Sequence, residues 1–593
     1  MTYPRPPHEY DEDGRLSLPG FGLPIDYEPP SPSYFFHPFS YNRFESDGLK
    51  LREIRMMHFI NMVTDKPNWE ENVFDDQIVS AWLAESSLDY APDLDGDVYF
   101  SERMYKACVD ELREKAVWLK RTGIVNVLDA ELAVAKSDTV VSPTLASSLR
   151  ASAKALENVR LKDRDWEPGS NEKVLNLLDP SLYPLTYGIT RVLPRERIPL
   201  QHCGSYIGKG EPISVIDPSE VRRPAYFGTM QWLPSSIRWT GTGLRITSYI
   251  HNLKPTDHSG LYGVLESFVA AAIPLWEECL FSGQYRRSPR IPTCPSGNSD
   301  YVLAEGAEPS IRYRNSIGHM DYVSWVRNRI LRWPEPSRYK ARLSRLRPQE
   351  VKPNLREDFP GGLQVVFRLF NIHLKPDDPV YPGGIWNYGG TLNDRIVATA
   401  LYYYDAENVG EGIISFAHVF DSDALTLQPP LEHAINPGEF PPPQYEDYEC
   451  IRRWYDISSG SRFQIIGTVA TRPGRLLAFP SVFQHSSGPF ALENPTQPGH
   501  LKVLAMYLVD PNIRVLSTDV VPPQRRDWWA DEVRGIKPFS QIAQEIFDNI
   551  IRFVEDVPMS PEQGREARAH LMEEHHLTGL PLPHVIDVPH MID

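Results

Sequence analysis

The sequence predicts an α+β protein: an antiparallel β sandwich or barrel in the second half of the chain, with helical additions before and after it. Three observations carry this. Six candidate strands lie between residues 363 and 516 with no helical period between them: LQVVFRLFNIHL, RIVATALYYYD, GIISFAHVF, RFQIIGTVA, GRLLAFP and LKVLAMYLVD. Strands separated by turns and by a Pro-rich loop, LQPPLEHAINPGEFPPPQYEDYE, pair with one another rather than through crossover helices. Up to about residue 160, apolar residues instead recur at the helical period. The tail returns to that period in SQIAQEIFDNIIRFVEDV and SPEQGREARAHLMEEHH, where Ser560, Pro561 and Gln563 make a capping-box start.

Taken in order, residues 1–40 are rich in Pro, Tyr and Phe (LPIDYEPPSPSYFFHPF) and suit an extended arm over a folded surface. Residues 41–224 read as a mainly helical region. In SERMYKACVDELREKAVWLKRTG, Ser101 caps a helix, Tyr105, Cys108, Leu112, Ala116 and Leu119 form its apolar stripe, and Gly123 ends it. Residues 225–535 form the β-rich core, opening with SIRWTG and RITSYI and interrupted by the helix SGLYGVLESFVAAAIPLWEECLF, which Pro274 is expected to kink. Residues 536–593 are C-terminal helices. The locally basic run 337–357 reads as a solvated face, with an anion-binding surface as the alternative, and no internal repeat is visible.

Composition narrows the function. With 593 residues, 41% of them hydrophobic, the chain has material for a large core. Proline is unusually frequent, 55 residues against 37 glycines, so long ordered loops are expected. A formal charge of −17 argues against a protein built to coat nucleic acid or anionic membrane, and neither partner is expected. The five cysteines are scattered without a CxxC pair, which suggests neither a disulfide framework nor a zinc knuckle. The N-terminus lacks the pattern of a signal peptide and no apolar run approaches about 18 residues, so a cytoplasmic location is expected. No GxxxxGK[ST], strand-bound GxGxxG, GxSxG or HExxH motif occurs. His575 and His576, near a helical C-terminus, read as partners of the helix dipole or solvent.

The informative segment is GRLLAFPSVFQHSSGPF followed by NPTQPGHLKVLAMYLVD. It reads as a strand ending at Phe479-Pro480, a loop presenting His485, and a further strand after Gly499. This resembles the second half of the double-stranded β-helix of iron(II)/2-oxoglutarate oxygenases. Longer blocks, among them RLFNIHLKPDDPVYPGGIWNYGGTLNDRIVATALYYYDAENV, TRPGRLLAFPSVFQH and DPSLYPLTYGITRVL, resemble the fungal DUF4246 family from about residue 20 to about residue 575. The resemblance implies a double-stranded β-helix (jelly-roll/cupin-like) core over roughly 225–516 and a place in fungal small-molecule, secondary metabolism.

The chain departs from that pattern where the chemistry should be. Relatives resemble one another in a YPGGSWHVEG run, whose histidine and acid bind iron with the distal histidine in a 2-His-1-carboxylate arrangement. Here the run is YPGGIWNYGG, so Asn387 stands for the histidine and Gly389 for the acid. The PGHRK pattern becomes PGHLK, placing Leu501 where an arginine would meet the co-substrate carboxylate, while Lys502 should point to the other side of its strand. Only His485 of the three implied ligands remains. No metal ligand set is therefore expected, and no cofactor. The site expected is a pocket in which His485 acts as general base or acid, with Trp386, Asn387, Tyr388, Gly389 and Leu501 around a small-molecule substrate. Phe483 and part of the Tyr402-Tyr403-Tyr404 run would add aromatic walls. Three readings stay open: a redox-neutral or atypical enzyme on an apolar metabolite, a catalytically inactive binding protein, and a true oxygenase using Fe(II) and 2-oxoglutarate with ligands rescued from His373, Asp394 or His418. Oligomeric state is not specified by the sequence.

Overall fold

Long strands with apolar residues on both faces need cover on both sides, and the chain supplies a different cover for each. The computed structural model describes residues 9–28, 35–39, 44–46, 48–89, 100–221, 227–280, 289–291, 301–303, 329–331, 335–336, 353–420, 455, 463–554 and 558–578. The Pro-rich loop at 427–449 and most of the basic run at 337–357 lie outside these residues.

The helices that open the described fold include α1 (Leu51–Val63) and α2 (Glu102–Thr122), with Asp76–Asp89 helical between them. The Ser101 hydroxyl accepts from the Met104 N–H, and Gly123 takes the left-handed conformation that ends α2, as its sequence predicts. Met104, Cys108, Leu112 and Ala116 of α2 pack on Met56, Phe59 and Ile60 of α1 in a satellite core. A short hairpin follows, β1 (Val125–Val127) and β2 (Val134–Ser137), then α3 (Pro143–Glu157), β3 (Asp165–Trp166) and β4 (Val174–Leu178). Next come β5 (Ser235–Trp239), β6 (Leu244–Ile246) and the long helix α4 (Pro255–Cys279). Helix α4 continues through Pro274; its non-helical dihedrals fall at His258 in the first turn, not at the proline. The later strands of the two main sheets are β7 (Leu363–Leu374), β8 (Ile396–Glu407), β9 (Gly412–Val419), β10 (Phe463–Thr471), β11 (Leu476–Pro480), β12 (Gln484–Ser487) and β13 (Gly499–Val509). Helices α5 (Gln544–Arg552) and α6 (Pro561–Thr578) close the described chain. Ser560 and Gln563 exchange the two bonds of the expected capping box at the start of α6.

The strands make two antiparallel sheets. The larger runs β6-β5-β7-β13-β8-β11-β2-β1, with β4 beside the far half of β7 and β3 beside β4. Its centre is in long register, from Val365 opposite Leu508 to Leu374 opposite Gly499. The smaller sheet runs β10-β9-β12. Because side chains alternate, one face of the larger sheet (Phe367, Leu369, Tyr402, Leu504, Met506) packs under α3 and α4. The other face (Val366, Ile372, Tyr403, Phe479, Val503, Tyr507) meets Ile414, Phe416 and Ile466 of the smaller sheet. The rings of Phe416 and Phe479 sit 4.9 Å apart across that interface.

The sheet runs across the boundary expected between residues 224 and 225. Strand β2 pairs with β11 and β4 pairs with β7, so the 41–224 stretch supplies strands to the core as well as helices around it. VNV and VAKS are too short to carry a period of their own, and only their tertiary partners make them strands.

One close approach in the smaller sheet is testable. Gly467 in β10 has φ +142, and a Cβ there would lie 2.6 Å from Leu128 Cδ2 and 2.7 Å from His58 Nε2. Gly467→Ala is expected to destabilise the fold by about 1–3 kcal/mol through overpacking. Gly474→Ala, where a Cβ meets nothing within 4 Å, should cost only the left-handed backbone strain of about 1–2 kcal/mol. Urea midpoints of the two variants check the order.

Candidate functional site

Strand β12 places His485 opposite Phe416 of β9. On its other side His485 pairs with Asn387: the Asn387 N–H donates to the His485 carbonyl at 3.1 Å, and the His485 N–H donates to the Asn387 carbonyl at 3.0 Å. Residues that exchange both bonds are directly opposed and carry their side chains on one face. That face is the interior, since the His485 ring lies 4.8 Å from the Phe479 ring. Gly389, two residues on, has φ +74, and a Cβ built there would stand 3.7 Å from His485 Cε1 and 3.5 Å from Tyr507 Cε1. Asn387, Gly389 and His485 therefore meet at one place, with Tyr507 as a neighbour that no local motif announces.

The other expected residues divide. Leu501 is buried in the same interior core as Phe479 and Phe483, opposite Ile372 and Ala406. Lys502 turns to the opposite face, where its Nζ lies 2.9 Å from Glu157 and 3.5 Å from Asp405, as alternation requires. Trp386 is half-buried. Tyr388 does not wall the site: it packs with Phe39, Leu392 and Phe463 in a separate cluster, its ring 5.2 Å from that of Phe39. The extended chain sends residue 388 to the side away from 387 and 389. Of the tyrosine run only Tyr403 joins the interior core; Tyr402 stacks on Phe268 of α4, and the Tyr404 hydroxyl donates to Asn371 Oδ1.

Burial drives the His485 pKa down to about 4, against a weaker opposing pull from the Phe483 backbone. Its Nδ1 is sealed from solvent and makes no hydrogen bond of normal geometry. The imidazole is thus neutral at pH 7, with a polar atom whose missing partner costs free energy. Burial also lowers His58, His251, His373 and His418 to about 4 and His37 to about 3. Between about pH 6.5 and 4 the unfolded chain therefore binds protons that the folded chain refuses, and stability falls as pH drops through that window. The urea midpoint is expected to decline from pH 7 to pH 4.5, with a shallower slope in His485→Gln. An unchanged slope in that variant would contradict the neutral, buried assignment.

Sequence reasoning missed the groups that border Tyr507, because they come from distant segments. The Trp232 ring lies 5.1 Å from Tyr507 and 5.0 Å from His575 of α6. His575 Nε2 is 3.5 Å from Asp394 Oδ2, so this histidine is packed against the core rather than serving solvent at a helix end. Asp394 accepts from the backbone N–H groups of Trp232 and Thr391, both at 2.7 Å. Arg368, also in the interior, donates to Glu167 at 2.9 Å and lies over Phe370, while Arg568 of α6 pairs with Asp165 and Asp179. Helix α6 thereby covers one end of the space between the sheets.

The donor set does not fit iron and 2-oxoglutarate. Asn387 offers a neutral amide that donates to its own Ile385 carbonyl, Gly389 offers no side chain, and Leu501 offers no cation. Among the described residues no group of three His, Cys, Asp or Glu side chains could hold a metal ion. The suggested rescuers are placed elsewhere: His373 is beside Trp166 and His500, His418 is on Gln464, and Asp394 is held by backbone donors.

No curated protein matches the chain. Among solved structures, a selenomethionine-labelled Fe(II)/(alpha)ketoglutarate-dependent dioxygenase, TqaL, is similar at 15% identity, covering 26% of this chain and 46% of that one, with a TM-score of 0.14. Procruciferin, an 11S globulin from Brassica napus, is similar at 11% identity over 37% of this chain and 34% of its own, with a TM-score of 0.12. The chain spans less than half the length of either, and scores so low carry no argument about fold or activity. The sequence families are decisive where the structures are not. Residues 102–532 match the protein of unknown function DUF4246, and residues 18–85 match the DUF4246 N-terminal domain of unknown function. The chain belongs to the DUF4246 family.

Proposed function

We propose that the protein is a jelly roll of oxygenase-like ancestry whose interior site works without iron and 2-oxoglutarate, taking an apolar small molecule in a redox-neutral reaction. Strand order supports the jelly-roll reading. Numbering the eight consecutive segments from β7, with Val380–Asn387 as the second, the larger sheet reads 1-8-3-6 at its centre and the smaller reads 2-7-4-5. Two interleaved Greek keys have this order. The observation that carries the functional reading is the pairing of Asn387 with His485 beside the side-chain-free Gly389, which leaves one imidazole at the positions where the family resemblance implies three ligands.

In this reading His485 presents a neutral ring to the ligand, accepting or passing a proton only as the reaction demands, and Tyr507 and Phe479 supply apolar contact. A pKa near 4 makes it a weak base, and this observation favours the second reading, a binding protein with no turnover. Both readings place the protein in small-molecule metabolism on the strength of the family resemblance alone. The test is a thermal-shift screen of apolar metabolites against chelator-treated protein, followed by product analysis for each hit. A ligand that stabilises the wild type and not His485→Ala supports the site, and product formation without metal distinguishes enzyme from binder. Stabilisation that requires both Fe(II) and 2-oxoglutarate would overturn the proposal.

A further inference from the structure

Helix α5 has two apolar faces, and the core uses only one of them. Phe547 is buried, while Ile546, Ile550 and Phe553 are 55%, 40% and 81% exposed. Spaced i, i+4 and i+7, these three form one stripe along the outer surface. The stripe is bordered by Glu545, Asn549 and Arg552, all exposed and at the same helical spacing.

We propose that this stripe is the contact through which two copies of the chain associate about a two-fold axis, α5 against α5 in antiparallel orientation. The charges select this occupant. In an antiparallel helix pair each flank faces its own counterpart in reverse, so Glu545 of one copy meets Arg552 of the other, twice, with Asn549 near the axis. Ile550 then meets Ile550, and Ile546 meets Phe553. In a parallel pair this flank would face the opposite flank of the partner, the side that carries the buried Phe547, and Glu545 would not meet Arg552. An anionic lipid surface is the poorer occupant, because Glu545 and Asp548 lie on this helix and the whole chain carries −17. Three side chains per copy bury less than the roughly 1,200–2,000 Å² of a standard stable interface. The association is therefore weak and concentration-dependent.

Sedimentation velocity of the full chain across a hundredfold concentration range tests it. The wild type should shift from monomer toward dimer, and Ile550→Asp should remain monomeric throughout. Glu545→Arg and Arg552→Glu should each weaken association about tenfold, and the double variant should recover it, because reversal of both charges restores the pair. Circular dichroism melts of these exposed variants should match the wild type, which separates a lost contact from a lost fold. A wild type that stays monomeric, a dimer indifferent to Ile550→Asp, or charge variants whose effects simply add would overturn the proposal. So would monomeric protein that instead binds neutral vesicles through the same stripe.

Discussion

Placing histidine at position 387 and aspartate at position 389 together is expected to give the protein a divalent-metal site. The two residues would join His485 on the interior face, because Asn387 is already paired with it and a Cβ at 389 already points toward it. Aspartate is the better acid there than glutamate. Gly389 has φ +74, a left-handed conformation that aspartate adopts more readily than most residues, at a cost of about 1–2 kcal/mol. The space allows it, since the nearest atoms to the new Cβ lie 3.5 and 3.7 Å away, ordinary contact distances. Affinity for Fe(II) or Co(II) should rise at least about a hundredfold over the unmodified chain, since losing even an outer-shell partner of a metal site costs 10–100-fold. Anaerobic calorimetry reads the change. Either single variant should fall well short of the pair, and Leu501→Arg alone should not raise metal affinity, because it adds a cation to the apolar core and no ligand.

Replacing Arg290 with methionine is expected to destabilise the fold by about 3–5 kcal/mol, the range for breaking a buried ion pair from one side. Arg290 is 6% exposed and reaches Glu53 and Glu111 at 2.6 Å and Asp129 at 2.8 Å. These carboxylates come from α1, α2 and the turn after β1, so one guanidinium ties three elements of the satellite region together. Its removal leaves three acids facing one another, with Lys115 3.2 Å from Glu111 and 2.7 Å from Asp129. Lys115→Met, which leaves the guanidinium in place, should cost less. Guanidinium-chloride midpoints of the two variants check the difference.

The sequence revealed the strands of the second half because each is long enough to show its own pattern. LQVVFRLFNIHL and LKVLAMYLVD are strands over nearly the residues expected, and the alternation that put Lys502 on the far side from Leu501 holds. The same rule, applied to the YPGGIWNYGG run, separates Tyr388 from Asn387 and Gly389, whereas the family pattern alone groups all three in one pocket. Short elements were not legible. Residues 134–137 and 174–178 join the large sheet through partners more than 190 residues away, and 125–127 joins it through 134–137. The same holds for the site. Asn387, Gly389 and His485 were recognisable from a family pattern, whereas Tyr507, Trp232, Asp394 and His575 meet only by tertiary folding, with α6 returning from the end of the chain. Pro274 shows the converse case: a strong local signal for a kink is overridden by the packing of Phe268, Leu275 and Trp276 against the sheet.

The central claim is that this interior site lacks the means to hold iron with its co-substrate. Anaerobic calorimetric titration of the unmodified protein with Fe(II), in the presence and absence of 2-oxoglutarate, tests it most directly. The arrangement of Asn387, Gly389, His485 and Leu501 predicts no saturable, stoichiometric binding and no consumption of 2-oxoglutarate when oxygen is admitted. One iron bound per chain at micromolar affinity or tighter, with 2-oxoglutarate turned over, would contradict it.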